Sequence, residues 1–189
     1  MAQKRKDWNG LISGFKASDL VFLDESGCNT DMTRRYADSL GGSRAVDSAP
    51  LSKPKNTTIL SSIQLDGTLR YTTFSGGTTV ERFKRYLETD LLPHLNGNSV
   101  LIMDNMKSHH ARAVRNLLDS SEVRCIYLPP YSPDLNPIEK LWSKVKAFLR
   151  KFKARTLDAL LNAIQCAFQT VSPSDCSGWF HSCGYSPYF

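Results

Sequence analysis

The sequence predicts an α/β domain whose mixed central sheet is flanked by helices. Short apolar runs typical of buried strands are interspersed with stretches of helical periodicity. A two-residue hairpin signal makes part of the sheet antiparallel, and helices between the later strands allow parallel pairing. The length of 189 residues, with 41% hydrophobic and 22% charged residues, fits one domain with a sizeable core.

The first half of the chain carries the predicted antiparallel strands. "LVFLD", residues 20–24, is an apolar run that ends on an acid, and residues from Arg34 to Tyr36 are expected to begin or extend an early strand. Residues 41–58 form the most loop-like stretch. "TILSSIQ" and "TLRYTTF" flank Asp66-Gly67, which is a strong hairpin signal.

The second half alternates helices with strands. The stretch "TTVERFKRYLETDLLPHL" is predicted to be a helix, with Thr78 and Glu81 at capping-box spacing. "SVLIMD" is a second buried strand that ends on an acid, and a helix is expected to begin near Ser108. The strand "VRCIYL", a helix from Pro137 and a helix from Thr156 complete the order. The expected order is three strands, helix, strand, helix, strand, helix, helix.

The stretch "LPPYSPDLNPIEKLW", residues 128–142, contains four prolines and then changes abruptly into a helix. Proline fixes φ and lacks an N–H, so the segment from Pro129 to Pro137, here called the proline loop, should be stiff. Asn136 is a suitable N-cap, Pro137 suits the first helical turn, and Glu139 falls three residues after the cap. One interpretation is a capping box in which Glu139 reaches back to the Asn136 amide. The other is a rigid loop that aims one carboxylate at a site.

Charge and cysteine usage narrow the functional classes. The formal charge is +6, which favours an acidic partner or nucleic acid, and "KLWSKVKAFLRKFKAR" carries seven Lys or Arg and no acid. That run is either a solvated helix face or a surface for a polyanion. The five scattered cysteines lack metal-knuckle spacing and indicate reduced thiols. With no signal-type or membrane-spanning apolar run, we expect a cytoplasmic protein with no membrane partner, associated with the nucleoid if bacterial.

Three acids form the candidate catalytic site. Asp24 and Asp104 each end an apolar strand, at the sheet edge where α/β proteins bind ligands. Either acid alone has an ordinary explanation as a turn or cap residue. Together with Glu139 they offer the oxygen ligands that Mg²⁺ or Mn²⁺ prefers, and three carboxylates suit two ions acting on a phosphodiester. Glu25 should point to the opposite face of its strand, and Asp134 ranks below Glu139 as a ligand.

Other residues are expected around these acids. Asn105 and His109 are predicted to lie beside the metal ligands or to contact phosphate, whereas His110 is assigned a structural role at the start of a helix. Lys140, Lys144 and Lys151 are the predicted DNA contacts, through phosphates rather than bases.

Three blocks, "FLDESG", "MDNMKSHH" and "LPPYSPDLNPIEKLWSKVKAFLR", resemble the DDE catalytic domain of mariner-superfamily transposases, and the bacterial insertion-sequence branch most closely. The 34 residues between Asp104 and Glu139 match that superfamily's spacing. The resemblance continues through "RTLDALLNAI" and "CSGWFHSCGY". It implies a ribonuclease H-like fold and a metal-binding triad of Asp24, Asp104 and Glu139.

The same resemblance implies metal-dependent cleavage of DNA at transposon ends, transfer of the freed 3′ hydroxyl to target DNA, and a homo-oligomer on DNA. Family members usually carry N-terminal helix-turn-helix domains, whereas Met1 here almost directly precedes the first catalytic strand. We therefore expect residues 1–189 to be a single catalytic domain without those domains, from a fragment, a split reading frame or a decayed copy. A separate end-binding domain or frame is then an expected partner. Two alternatives stay open: a decayed, non-catalytic nucleic-acid-binding module, and a ribonuclease H-type nuclease.

Overall fold

The computed structural model of the chain describes residues 2–34, 36, 38–46, 48 and 54–185, and side chains from Asp7 onward. Its α-helices and β-strands follow the expected order, with one α-helix added at each end. In chain order they are α1 (Ala2–Ile12), β1 (Leu20–Cys28), β2 (Thr57–Gln64), β3 (Leu69–Ser75), α2 (Val80–Tyr86), β4 (Val100–Met103), α3 (Arg112–Ser120), β5 (Arg124–Tyr127), α4 (Ile138–Phe152), α5 (Leu157–Gln169) and α6 (Pro173–Ser182).

The five strands form one mixed sheet in the order β3-β2-β1-β4-β5. β1, β2 and β3 pair antiparallel, and β4 lies parallel to both β1 and β5. The predicted turn closes the β2–β3 hairpin, where Gly67 has a φ of 91° that favours glycine. The expected α/β class with a mixed sheet is therefore confirmed.

Apolar residues cover both faces of the sheet because side chains alternate along each strand. Phe22 and Ile102 face a core built with α4, α5 and α6, and Leu23 and Met103 face a second core built with α2 and α3. The β1–β4 pairing runs from Leu20–Val100 to Leu23–Met103. The residue that follows Leu23 and the residue that follows Met103 are both aspartates, so the register places Asp24 and Asp104 side by side.

Three local predictions in the first half of the chain are wrong, and a fourth concerns the helix after β4. Arg34 and Tyr36 lie outside any strand and are exposed, while residues 35 and 37 lie outside the described part of the chain. β1 does not end at Asp24, because β2 continues to supply backbone partners as far as the pair Cys28–Thr57. The cap of α2 is Thr79 rather than Thr78, since its hydroxyl accepts the Arg82 N–H at 3.3 Å.

The helix after β4 begins at Arg112 and not near Ser108. Residues 107–110 form turns instead, and the His109 N–H donates to the Met106 carbonyl at 3.0 Å. The side chain of His109 explains the delay, because it is fully buried and points back towards Asp104.

Helices α1 and α6 were not predicted, yet they tie the two ends of the chain together. The Trp8 Nε1–H donates to the Tyr185 hydroxyl at 3.2 Å, and Ser172 and Asp175 form a reciprocal capping box at the start of α6.

All five cysteines are free thiols, as expected. Within the described ranges, no helix combines the length and apolar character needed to cross a membrane.

Candidate active site

The three acids singled out in the sequence line one cavity of about 470 Å³ at the carboxyl end of the parallel strands. Asp24 comes from β1, Asp104 directly follows β4, and Glu139 lies in the first turn of α4. The loop before α4 forms the opposite wall. Residues far apart in the chain thus converge because the β1–β4 register aligns the two aspartates and the proline loop brings α4 across the sheet edge.

Asp24 lies beneath α4, with only 9% of its surface exposed. Trp142 Nε1–H donates to Asp24 Oδ2 at 3.0 Å. Burial raises the pKa of the Asp24 carboxyl to about 7, and the negative charges of Glu25 and Glu139 add to that increase, while the Trp142 hydrogen bond opposes it. Without a cation, this carboxylate is therefore costly to ionise.

Asp104 has a different neighbourhood, which centres on His109. His109 Nδ1 lies 3.0 Å from Asp104 Oδ1 and 3.2 Å from the Asp104 carbonyl oxygen, and the Met106 N–H donates to Oδ1 at 2.9 Å. On the other side of the ring, Nε2 lies 3.3 Å from Glu25 Oε2, outside hydrogen-bond alignment. The ring stacks on Phe83 with centroids 4.2 Å apart. His109 thus bridges two carboxylates on the α2–α3 side of the sheet.

These contacts set the protonation states of His109 and Asp104. Burial alone would lower the pKa of His109, but the carboxylates of Asp104 and Glu25 raise it to about 9. Burial likewise opposes ionisation of Asp104, yet the His109 and Met106 hydrogen bonds hold the pKa of that carboxyl below its usual value. Near neutral pH the chain places a buried imidazolium between two carboxylates. Because its ring is fully buried, His109 is placed as a neighbour of Asp104 and not as a phosphate contact.

Glu139 is exposed and its side chain does not form the capping box that its spacing allowed. The Asn136 N–H donates instead to the Pro133 carbonyl at 3.1 Å, within the turn Pro133–Leu135, so it needs no carboxylate partner. The Asn136 side chain is buried, and its Oδ1 has no hydrogen-bond partner among the described residues. The helix is started by backbone bonds such as Glu139 N–H to the Asn136 carbonyl at 3.1 Å. The carboxylate is left available to the cavity.

The proline loop is fixed at both ends by long-range hydrogen bonds. At its start, the Leu128 N–H donates to the Met103 carbonyl at 2.9 Å, and Asn105 Nδ2 donates to the Leu128 carbonyl at 2.6 Å. At its end, the Tyr185 hydroxyl donates to the Leu135 carbonyl at 2.6 Å. Asn105 therefore holds the loop as well as lining the cavity. Asp134 lies on the exposed side of the turn, away from the cavity wall.

The predicted DNA contacts lie on one stripe of α4, because positions 140, 144 and 151 fall within about 40° of one another on a helical wheel. Lys140 and Lys151 are exposed. Lys144 is engaged, since its Nζ lies 2.6 Å from Asp175 Oδ2 and 2.9 Å from the Thr170 carbonyl oxygen. It joins α4 to the start of α6, so it is a weaker candidate for a phosphate contact than the other two.

The contacts of two residues in the site were not predicted from the sequence. Trp142 follows Glu139 by three positions, which places both on neighbouring parts of the helix surface and would have been a usable signal. Glu25 was expected to point away from Asp24, and it does, but nothing local indicated that His109 would meet it there. His110 was expected to have a structural role at the start of a helix, but it lies in the turns before Arg112, where its ring stacks on Tyr127 with centroids 4.2 Å apart.

The donor set fits a hard divalent cation in its chemistry, because three carboxylates line one cavity. The side-chain positions do not yet form a closed site. Among the residues that the structure describes, no three His, Cys, Asp or Glu side chains are grouped as a metal site. Binding a cation would therefore require these side chains to move closer together, or other oxygens to supply part of the shell.

Comparison with known proteins gives a family. A model of the DDE superfamily endonuclease family matches residues 19–161. The transposable element Tc1 transposase of Caenorhabditis elegans is 29% identical over 97 residues, which cover 49% of this chain and 36% of the relative. An uncharacterized 39 kDa protein of insertion element IS630 in Shigella sonnei is 33% identical over 75 residues, covering 39% and 22%. The matches therefore span well under half of these relatives.

Solved structures share the fold. The chain matches a pre-cleavage Mos1 transpososome with a TM-score of 0.81 and 19% identity, over 96% of this chain and 58% of that one. It matches the catalytic domain of the Mos1 mariner transposase with a TM-score of 0.72 and 18% identity, over 95% and 85%. A Mos1 paired-end complex with Mn gives a TM-score of 0.77 at 19% identity, over 94% and 57%. At this identity the likeness establishes the ribonuclease H-like fold that the sequence resemblance implied.

Proposed function

The chain belongs to the DDE superfamily endonuclease family, and we propose from this premise that it is the catalytic domain of a DNA transposase. In the proposed reaction, a phosphodiester at a transposon end is hydrolysed and the freed 3′ hydroxyl is joined to target DNA. One observation carries the proposal: three acids chosen from the sequence line a single cavity at the carboxyl end of the parallel strands. Residues 1–189 would act as one catalytic unit.

Asp24, Asp104 and Glu139 are the proposed ligands of Mg²⁺ or Mn²⁺, as one ion or as the two expected from the sequence. Solved structures of the Mos1 paired-end complex contain Mn or Mg, which supports a divalent metal here. When bound, such ions activate the attacking oxygen and stabilise the leaving oxygen of a phosphodiester. The open spacing of the three carboxylates favours weak metal binding by the free chain and tighter binding when DNA phosphates supply further oxygens.

The neighbouring side chains have proposed positioning roles. His109 holds the carboxylate of Asp104 from the buried side, and Glu25 holds the far nitrogen of the same ring. Trp142 holds one oxygen of Asp24. Each metal-binding aspartate thus keeps one oxygen fixed by a protein donor, which limits its rotation. Partners of this kind orient ligands and are costly to remove.

Lys140 and Lys151 are proposed to contact the DNA backbone along the exposed stripe of α4. Such contacts attract any sequence and weaken with salt. Lys144 contributes mainly by joining α4 to α6.

The proposed partners are transposon ends and target DNA, with a homo-oligomer on the DNA and an end-binding domain or separate frame for sequence recognition. The proposed place of action is the cytoplasm, at the nucleoid in a bacterium.

The test is incubation with labelled transposon-end DNA and Mn²⁺ or Mg²⁺, with and without a supplied end-binding domain. Cleavage at the ends and joined products are expected only with metal. A parallel reaction with an RNA–DNA hybrid separates a ribonuclease H-type activity, and absence of any cleavage would identify a non-catalytic module.

Glu139→Gln is the decisive variant. The carboxylate is exposed and caps no helix, so its loss should change the free energy of unfolding by no more than about 0.5 kcal/mol. Cleavage should fall by orders of magnitude, since an amide is a poor ligand for a hard cation. Glu88→Gln, on an exposed helical turn, is the matched control and should cleave like the parent. A folded Glu139→Gln protein with parent-like cleavage would remove Glu139 from the site.

A further inference from the structure

We propose that Tyr131 is a stacking platform for an unpaired DNA base next to the phosphate held at the three carboxylates. The inference rests on the proposed function, because it assigns the base side of the same cavity. It names the substrate feature that the cavity takes: a nucleotide that has left the double helix.

The first observation is where exposed apolar surface occurs. The Tyr131 side chain is 89% exposed and Met106 is 37% exposed, and both line the cavity that contains Asp24, Asp104 and Glu139. Single exposed apolar residues are ordinary. Here an aromatic ring and a methionine line the same cavity as three acids. The cavity therefore offers charged groups and apolar groups, which correspond to the phosphate and the base of one nucleotide.

The second observation is the backbone of Tyr131. Its φ is 56°, a left-handed conformation that is an outlier for a bulky residue. Such strain persists only where surrounding structure imposes it, and it concentrates at ligand sites. Pro129, Pro130 and Pro133 stiffen the loop, and the hydrogen bonds to Met103 and Tyr185 fix its ends. The ring is thus presented by a rigid loop and not by a flexible tip.

The third observation is that the ring has no partner within the protein. Across the described part of the chain, Tyr131 makes no hydrogen bond, ion pair or ring contact, whereas the other tyrosine of this region, Tyr127, stacks on His110. A base has a flat π-face for such a ring whatever its identity. In a duplex that face is covered by neighbouring base pairs, so the exposed ring is suited to a base that is unstacked.

The chemistry of the cavity gives this ring a task. The ionised carboxylates of this cavity repel a phosphodiester until cations are present, so the acids alone do not hold DNA in register. Stacking is independent of that charge. A base held on Tyr131 would keep the adjacent phosphate at the carboxylates, and the preorganised loop would lower the entropy lost on binding.

The experiment uses the full chain and a short duplex with a single-stranded overhang, with 2-aminopurine as the first unpaired base and Ca²⁺ to bind without cleavage. Stacking should quench the fluorescence of 2-aminopurine in the parent and in Tyr131→Phe. Tyr131→Gly removes the ring and the backbone strain together, so it should melt no lower than the parent. It should lose the quench and bind the overhang about 5- to 150-fold more weakly.

Tyr131→Asn is a second ring-free variant, since asparagine tolerates a positive φ. Phe152→Ala removes an exposed ring about 20 Å along α4 from Glu139 and should behave like the parent. A fully paired duplex should show no difference between the parent and Tyr131→Gly. If the parent binds DNA but Tyr131→Gly and Tyr131→Asn keep its quench and affinity, the inference is wrong and the proposed function stands. A parent that binds no DNA would overturn both.

Discussion

Asp24 and Asp104 are neighbours in the sheet register, yet their surroundings differ in kind. Asp24 is covered by α4, and its one side-chain donor among the described residues is the neutral indole of Trp142. Asp104 sits over a buried, positively charged His109 and is more accessible. Burial consequently dominates at Asp24 and raises its pKa to about 7, while the His109 side pulls the pKa of Asp104 down. The difference teaches that position in the sheet places a carboxylate, whereas the elements packed above and below set its charge.

The largest expected effect is on catalysis, where the two aspartates should be equal despite their different surroundings. Asp24→Asn and Asp104→Asn should each reduce cleavage of transposon-end DNA by orders of magnitude, because each removes a proposed metal ligand. The check is a cleavage assay with Mn²⁺ beside a thermal melt of each variant. If either folded variant cleaves like the parent, that aspartate is not a ligand and the comparison fails.

The pH dependence of stability should separate the two sites in the metal-free chain. The pKa of Asp24 is raised from an ordinary value of 3.8 to about 7. Its contribution is therefore fully present below about pH 4 and is lost as the pH rises through 7, because the unfolded chain ionises first. The loss is as much as about 4 kcal/mol, at about 1.4 kcal/mol per pKa unit.

Urea unfolding of the parent and of Asp24→Asn in EDTA, over this pH range, measures that contribution as a difference. Asparagine keeps an oxygen for Trp142 and has no charge to bury, so the variant should gain stability over the parent as the pH rises. Equal pH profiles for the two proteins would contradict the burial of Asp24.

Asp104→Asn should have the opposite effect on stability near neutral pH. It leaves Glu25 as the one carboxylate neighbour of His109 in the described part of the chain, so the fold should lose about 1–3 kcal/mol. His109→Gln in the same background is the informative companion, because it removes the buried charge and should recover part of the loss. A double-mutant cycle on these two residues gives their coupling. No coupling would mean that the 3.0 Å contact adds nothing to stability.

The smallest expected effect concerns the donor to Asp24. Trp142→Phe keeps most of the buried ring and removes the Nε1–H, which should cost about 1 kcal/mol above pH 7 and less at pH 5, where Asp24 is protonated. The measurement is urea unfolding at both pH values, with Trp179→Phe as the control on α6. An equal cost at both pH values would assign the loss to packing and not to the hydrogen bond.

Much of the fold was predictable because its signals are local. The hairpin at Asp66-Gly67 and the buried runs at residues 20–24 and 99–104 depend on turn chemistry and apolar content within a few residues. The errors occurred where the folded chain supplied a different hydrogen-bond partner from the one that the local spacing suggested. The spacing of Asn136 and Glu139 allowed a capping box, but the Pro133–Leu135 turn satisfied the Asn136 amide first. Likewise, β1 extends past Asp24 because β2 supplies its partners.

By itself the sequence determined the candidate acids, because their residue type, the apolar runs before Asp24 and Asp104, and the proline loop before Glu139 are all visible in the chain. Only the tertiary structure decided what surrounds each of them. The Trp142–Asp24 bond joins residues 118 positions apart, and His109 meets Glu25 across the sheet from the cavity. A carboxylate's charge depends on the burial and dipoles within a few ångströms of it, and those are set by how α4 and the turns after β4 pack on the sheet.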